Sequence, residues 1–395
     1  MKKFLAVILA MTMVMALVAC GSSDNGGSTA APAETTTQPA ETGNTDAAPA
    51  AEALRVAMVT DYGDITDQSF NQTTYEAAKS WSEANGADFT YFKPASDSDD
   101  DRVAMIEKAI DEGYEVIVMP GYAFAPAIAA TAPEYSDVIF IGLDVSEFDL
   151  TSAGLAELPE NLYCAVYQEE LCGYMAGYAA VKMGYSKLGF LGGMAVPAVV
   201  RYGYGFVQGA DAAAAADGKT DVTLKYAYGN QFYGDGDITA AMDTWYADGT
   251  EVVFACGGGI FTSAAEAAAK VNGKVIGVDV DQAGIIDGQY GAGMTVTSAM
   301  KGLAATVNSL LTAVNNGSFA GGIVDNLGLV SANPEENYVQ LPLGSTQWSD
   351  SFSQADYTAL VGDMFSGAIT VSNDITATAA DMASTITVTD LGNLK

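Results

Sequence analysis

Two apolar runs far apart in the chain, VIFIGLD (138–144) and KVIGVD (274–279), end in the same acidic turn. The segments before them repeat as well. LRVAMVT (54–60), DFTYFKP (88–94) and EVIVMPG (115–121) alternate with helical patterns ahead of the first run. KLGFLGG (187–193), VTLKYAYG (222–229) and EVVFACGGG (251–259) do the same ahead of the second. Short β-branched runs separated by helices predict parallel α/β structure, because parallel strands need crossover connections. An order written twice predicts two similar doubly wound parallel-sheet domains facing each other. In open parallel sheets ligands bind beyond the carboxyl ends of the strands. The strand-end loops of both halves should therefore line one cleft.

Those loops hold most of the unusual residues. In DYGDITDQSFN (61–71) an apolar strand ends in Asp61, and helical sequence follows within ten residues. Ser69 with Gln72 fits a capping box, and Asp67 is an alternative cap. Asp61, Phe70 and Asn71 are left without a structural task, and a carboxylate buried at a strand end needs donors. Asp144 and Asp279 end equivalent strands, and a carboxylate can accept two hydrogen bonds from vicinal hydroxyls. The glycine turns at 192–193 and 257–259 let backbone N–H groups approach a ligand, but neither matches a P-loop or G-x-G-x-x-G. Arg201 and Lys301 are the few basic residues near these loops, so a multiply anionic ligand would find little support. The acidic runs DSDDD (97–101) and GDGD (234–237) read as solvated loop rather than calcium sites, and no metal or cofactor is expected. The set points to an uncharged, hydroxyl-rich molecule with an aromatic part.

Composition narrows the function. The 395 residues include 16 Lys+Arg, 49 Asp+Glu and no histidine, for a net charge of −33. Such a chain is a poor partner for nucleic acid, whose binding rests on basic side chains. Without histidine, Ser-His-Asp and Cys-His nucleophiles and histidine zinc sites are excluded, which favours a binding protein over an enzyme. Lys2 and Lys3 precede an apolar stretch too short to span a bilayer, as in an export signal. That signal (1–19) ends in LVAC, which resembles the bacterial lipobox and marks Cys20 for lipidation. Residues 21–53 contain no aromatic and no Leu, Ile or Val, and read as a disordered tether spanning about 30 Å. Of the other cysteines, Cys164 and Cys172 could pair, but with Cys256 all three sit in apolar context and read better as buried thiols.

The motifs DYGDITDQSFNQ, YQEELCGYMAGYAA, GFLGGMAVPAVVRYGYGF, GVDVDQ and TSAMK together resemble the basic membrane protein family of PnrA-like lipoproteins, which are substrate-binding components of ABC importers. The resemblance implies a type I periplasmic-binding fold, with residues 54–165 and about 285–325 in the first lobe and 166–284 and about 326–395 in the second. It also implies purine nucleoside binding. Asp61 and Asn71 would then hydrogen-bond the base, Phe70 would stack on it, and Asp144 would face it. Asp279, Lys301 and the turn Gly257, Gly258 and Gly259 would hold the ribose. A second stacking ring falls to Phe261, Phe232 or Tyr122. GGGIF (257–261) departs from the family's usual G-G-x-G, and AGIIDGQYGAG (283–293) looks lengthened. The expectation is a monomeric, non-enzymatic lipoprotein on the extracytoplasmic face of the cell membrane. It would close around a nucleoside by hinge bending and serve an ABC permease and ATPase. A flavin or sugar-like ligand, a sensory role and a nucleoside hydrolase are the alternatives.

Overall fold

A computed structural model describes residues 53–395. The signal peptide, Cys20 and nearly all of the tether lie outside the described residues. The first lobe runs through β1 (Arg55–Val59), α1 (Phe70–Asn85), β2 (Asp88–Phe92), α2 (Asp99–Asp111), β3 (Val116–Pro120), α3 (Ala125–Thr131), β4 (Ile139–Leu143), α4 (Glu147–Ser152) and β5 (Leu162–Tyr167). The second continues with α5 (Glu169–Lys182), β6 (Lys187–Gly192), α6 (Pro197–Asp217), β7 (Thr223–Tyr228), α7 (Gly236–Ala247), β8 (Val252–Cys256), α8 (Phe261–Val271), β9 (Lys274–Asp279), α9 (Ala283–Tyr290) and β10 (Thr295–Lys301). The chain then returns through α10 (Leu303–Asn315) and β11 (Ile323–Leu327) to the first lobe. It ends in the second with β12 (Val339–Gln340), α11 (Gln354–Phe365) and β13 (Thr387–Asn393).

The first sheet has the order β11-β5-β4-β3-β1-β2 and the second β12-β10-β9-β8-β6-β7-β13. Within them, 2-1-3-4-5 and 7-6-8-9-10 are the same doubly wound arrangement, which is the physical content of the repeated sequence. All neighbours are parallel except the short β10–β12 pair. Central strands are buried on both faces: Val56 through Val59 and Val116 through Met119 are fully inaccessible. Burying such a side chain stabilises by about 1.5–3 kcal/mol. Helices α5 and α6 pack backbone to backbone, and a Cβ on Gly205 or Gly177 would come within 2.1 Å of a carbonyl oxygen across the contact. That approach explains the glycine spacing of GYMAGY and YGYGFVQG.

The lobe boundary expected near residue 285 is corrected. Strand β10 hydrogen-bonds between β9 and β12, so it and α9 belong to the second lobe. Its residues Thr295 to Ala299 are buried, as a central strand requires. The return to the first lobe begins at α10, which docks on α1 through the Trp81 Nε1 bond to Thr312 Oγ1 at 2.9 Å. The first lobe likewise runs through Tyr167, the end of β5, rather than stopping at 165. Cys164, Cys172 and Cys256 are buried thiols with no disulfide among the described residues.

Candidate functional site

The switch point of each sheet lies between its first and third strands, where crossovers leave to opposite faces. In the first lobe β1 delivers Asp61 to that point. One oxygen accepts the Gly63 N–H at 2.6 Å. The other lies over Gly121, where a Cβ would come within 2.8 Å and φ is +129°. Burial pushes the Asp61 carboxyl up to about 6, against the opposing pull of the Gly63 N–H and the Arg102 charge. The cap of α1 is Asp67, which accepts the N–H groups of Ser69, Asn71 and Gln72 at 2.9–3.0 Å. The capping box from Ser69 does not form. Asp67 also takes the Asn71 side-chain N–H at 3.2 Å, and Asn71 Oδ1 is buried without a partner among the described residues.

Ser69 works across the cleft instead, donating its hydroxyl to Asp279 Oδ2 at 2.7 Å. Asp279 also receives the Tyr202 hydroxyl at 3.3 Å. Asp144 and Asp279, the acids matched by the repeat, adopt matching left-handed backbones with φ of 60° and 64°. Non-glycine residues rarely hold that conformation, and Asp is among those that tolerate it best. Between them stands Lys301, at the end of β10. Its ammonium lies 2.6 Å from Asp144, 3.4 Å from Glu169 and 3.8 Å from Asp279. It also sits 4.7 Å from the centre of the Phe70 ring. Burial alone would lower the Lys301 value, but the charges of Asp144, Glu169 and Asp279 outweigh it and hold the ammonium well above its ordinary range. Asp144 is pushed up to about 6 by burial, with Lys301 opposing, and its Oδ1 has no partner among the described residues.

These groups line one cavity of about 680 Å³, within the range of small-molecule sites. Asp61, Phe70, Asn71, Tyr122 and Asp144 come from the first lobe, and Phe232, Gly257, Gly258, Gly259, Phe261, Asp279 and Lys301 from the second. The three ring candidates differ. Phe261 is wholly buried and packs in the second-lobe core. Phe232 is half-buried and meets Tyr62 of the other lobe at 6.5 Å with the rings 27° apart. Tyr122 is half-buried at the entrance of α3. The glycine turn serves the Phe232 loop: the Gly259 N–H goes to Phe232 O at 2.9 Å. The acidic runs are helix starts, with Ser98 capping α2 and Asp235 capping α7.

A family model described as ABC transporter substrate-binding protein PnrA-like (Bmp) matches residues 54–357, most of the chain. The chain belongs to that family. A relative named "ABC transporter nucleoside-binding protein BmpA", from Lactococcus lactis subsp. cremoris (strain MG1363), is 27% identical over 339 residues, covering 80% of this chain and 89% of the relative. Two solved ABC transporter solute-binding proteins share the fold. One, from Conexibacter woesei DSM 14684, has a TM-score of 0.62 at 23% identity, covering 81% of this chain and 99% of its own. The other, from Aeropyrum pernix K1, has a TM-score of 0.60 at 21% identity, covering 83% and 90%. This Bmp family member is thus an ABC transporter substrate-binding protein with a periplasmic-binding-protein-like fold.

Three features of its site escape a reading of the loops. Glu169, fully buried, links Lys301 to Arg201, whose Nε it meets at 2.7 Å. Its neighbour Glu170 is pushed up to about 7 by burial, and Arg201 stands 4.0 Å away. Tyr62 and Met194 touch across the cleft at 3.4 Å. The pair Glu169-Glu170 opens a helix in an otherwise apolar run, and that mismatch was the available signal.

Proposed function

We propose that this protein captures a nucleoside, a purine nucleoside first, between its lobes and hands it to an ABC permease and its ATPase. The observation that carries the reading is a pair of buried acceptors, Asn71 Oδ1 and Asp144 Oδ1, that find no partner among the described residues and belong to residues lining the same cavity as the half-buried Phe70 ring. A buried polar atom left unpaired loses about 1–3 kcal/mol. A planar base with N–H donors and a ribose with hydroxyls supplies both partners while its face covers the ring. The name of the Lactococcus relative points the same way. Thermal shift against a panel of purine and pyrimidine nucleosides tests it. A ligand at a thousand times its Kd should add about 4 kcal/mol of stability. No shift with any nucleoside rejects the reading.

The two raised acids give the binding a pH dependence. Asp61 and Asp144, both at about 6, accept hydrogen bonds from the ligand most strongly when ionised, and a protonated carboxyl gives up one acceptor site to its own proton. Affinity is expected to fall as pH drops from 7.5 through 6 to 5. The unliganded protein should do the reverse. A carboxyl raised by folding binds a proton more tightly in the folded state, so its contribution is fully present below the unfolded value near 4 and is lost as pH rises through 6. Titration calorimetry and melting curves at three pH values should therefore show opposite slopes, with the affinity slope shallower in Asp61→Asn.

Membrane attachment belongs to the same reading. Lipidation of Cys20 would hold the folded lobes near the bilayer on the outer side of the membrane. Cys20→Ser should move the protein from the membrane fraction to the soluble one. Retention of the variant on membranes counts against the anchor.

A further inference from the structure

The family match stops at residue 357, yet the chain beyond it is not loose. It runs along α6, where Ala377 O accepts the Tyr204 hydroxyl at 2.8 Å and Gln208 bonds Ser372 N and O at 2.8 and 2.9 Å. Asp211 then gathers three successive backbone N–H groups, those of Ser384, Thr385 and Ile386, on one oxygen at 2.6–3.0 Å. From that anchor β13 pairs in parallel with β7, and so covers what would otherwise be an open sheet edge.

The contacts continue past the strand. Leu394 donates its N–H to Tyr228 O at 2.8 Å, and Lys395 forms an ion pair with Asp235. Asp235 in turn accepts the Gln231 side chain at 3.0 Å, and that amide also reaches Tyr233 O at 2.8 Å. Between these two residues stands Phe232, whose ring lines the cavity and meets Tyr62 of the opposite lobe. Protection of an edge would end with β13. These later bonds instead grip both ends of the loop that presents Phe232.

We infer that residues 366–395 brace the Phe232 loop and so set how firmly the cavity closes, with Asp211 as the positioning residue that anchors the brace. Asp211 touches no ligand; it acts through β13 and the loop. The effect on affinity rests on the nucleoside reading, whereas the effect on the loop does not.

Hydrogen exchange on the full chain tests both. Asp211→Ala removes the three-bond anchor, and amides of residues 384–394 and of the loop 229–235 should both exchange about tenfold faster, because loss of local bonds lowers the opening free energy. Asp211→Asn keeps an acceptor oxygen and should restore protection at both places. Thr389→Pro, which blocks β13 pairing directly, should reproduce the alanine result in the loop. Nucleoside affinity should fall about tenfold in the alanine variant, chiefly through faster release. Fast exchange in the tail with the loop as protected as in the parent overturns the brace, as does a protected loop in both Asp211→Ala and Thr389→Pro. A parent protein that binds no nucleoside rejects the ligand reading instead, and the exchange data still decide the brace.

Discussion

Replacing Lys301 by Met should lower stability by about 3–5 kcal/mol, the usual loss when one partner of a buried ion pair is removed. Met has nearly the same length, so the change isolates charge. Three carboxylates within 4 Å of the ammonium, on Asp144, Glu169 and Asp279, would lose their shared cation, and Arg201 is committed to Glu169. A melting temperature lower by about 5–10 °C is the expected reading at pH 7.5. The deficit should shrink as the pH is lowered to 5.5. Asp144 is already at about 6 with Lys301 beside it, and without that charge it moves higher still. Proton uptake then neutralises the stranded acid. Because raised carboxyls favour the folded state at low pH, the variant should gain more stability than the parent over that interval. Added salt should help little, since the lysine side chain is 2% exposed and screening acts on solvated charges. Ligand binding should be lost at every pH. A variant that melts like the parent, with no pH dependence of its own, shows that Lys301 is not the counter-ion of the cluster.

How much of this was legible in the sequence depends on the distance over which each feature is decided. The twofold order of strands and the matched Asp144 and Asp279 are written locally, as apolar runs and their endings. They fixed the paired sheets and brought twelve candidate residues to one cavity. The cap of α1 was ambiguous because Ser69 and Asp67 have equal local claims. What separates them is Asp279, 210 residues away, which takes the Ser69 hydroxyl. Strand β10 was missed for a related reason. TVTSAMK is rich in small polar residues, yet pairing with β9 and β12 sets it inside the second sheet, where every residue but Met300 is buried. Glu169 was hidden by a sound rule: acids in a first helical turn are favoured by the helix dipole and need no further partner. Only the crossing of α5 under β10 shows that this one meets Lys301. The strands after residue 320 pair with segments far back in the chain, and no local pattern announces such register.

Asp279 offers the sharpest separation of ligand binding from stability. Its side chain is 9% exposed and receives Ser69 and Tyr202 while standing 3.8 Å from Lys301. Yet the cluster holds four acids, Asp144, Glu169, Glu170 and Asp279, against two cations, Lys301 and Arg201. Removing one acid relieves that excess rather than stranding a charge, so the folding penalty should be small. Alanine adds a separate loss, because φ of 64° is costly for a Cβ residue without a local hydrogen-bonding group, by about 1–2 kcal/mol. Asn tolerates that backbone and keeps an oxygen for Ser69. Asp279→Asn should therefore melt within about 2 °C of the parent, while Asp279→Ala falls a few degrees further. On the nucleoside reading, both should weaken binding by more than about a hundredfold, since charged hydrogen bonds contribute about 1.5–3 kcal/mol each and a ribose diol would make two. Ser69→Ala separates the closing contact from the ligand contact. It removes one interlobe bond, worth about 1 kcal/mol, and should weaken binding only about fivefold. In the double variant with Asp279→Ala the two losses should not add, because the alanine has already removed the acceptor of the Ser69 bond. If Asp279→Asn instead lowers the melting temperature by ten degrees and leaves affinity intact, the residue is a structural clasp between the lobes and not a ligand contact.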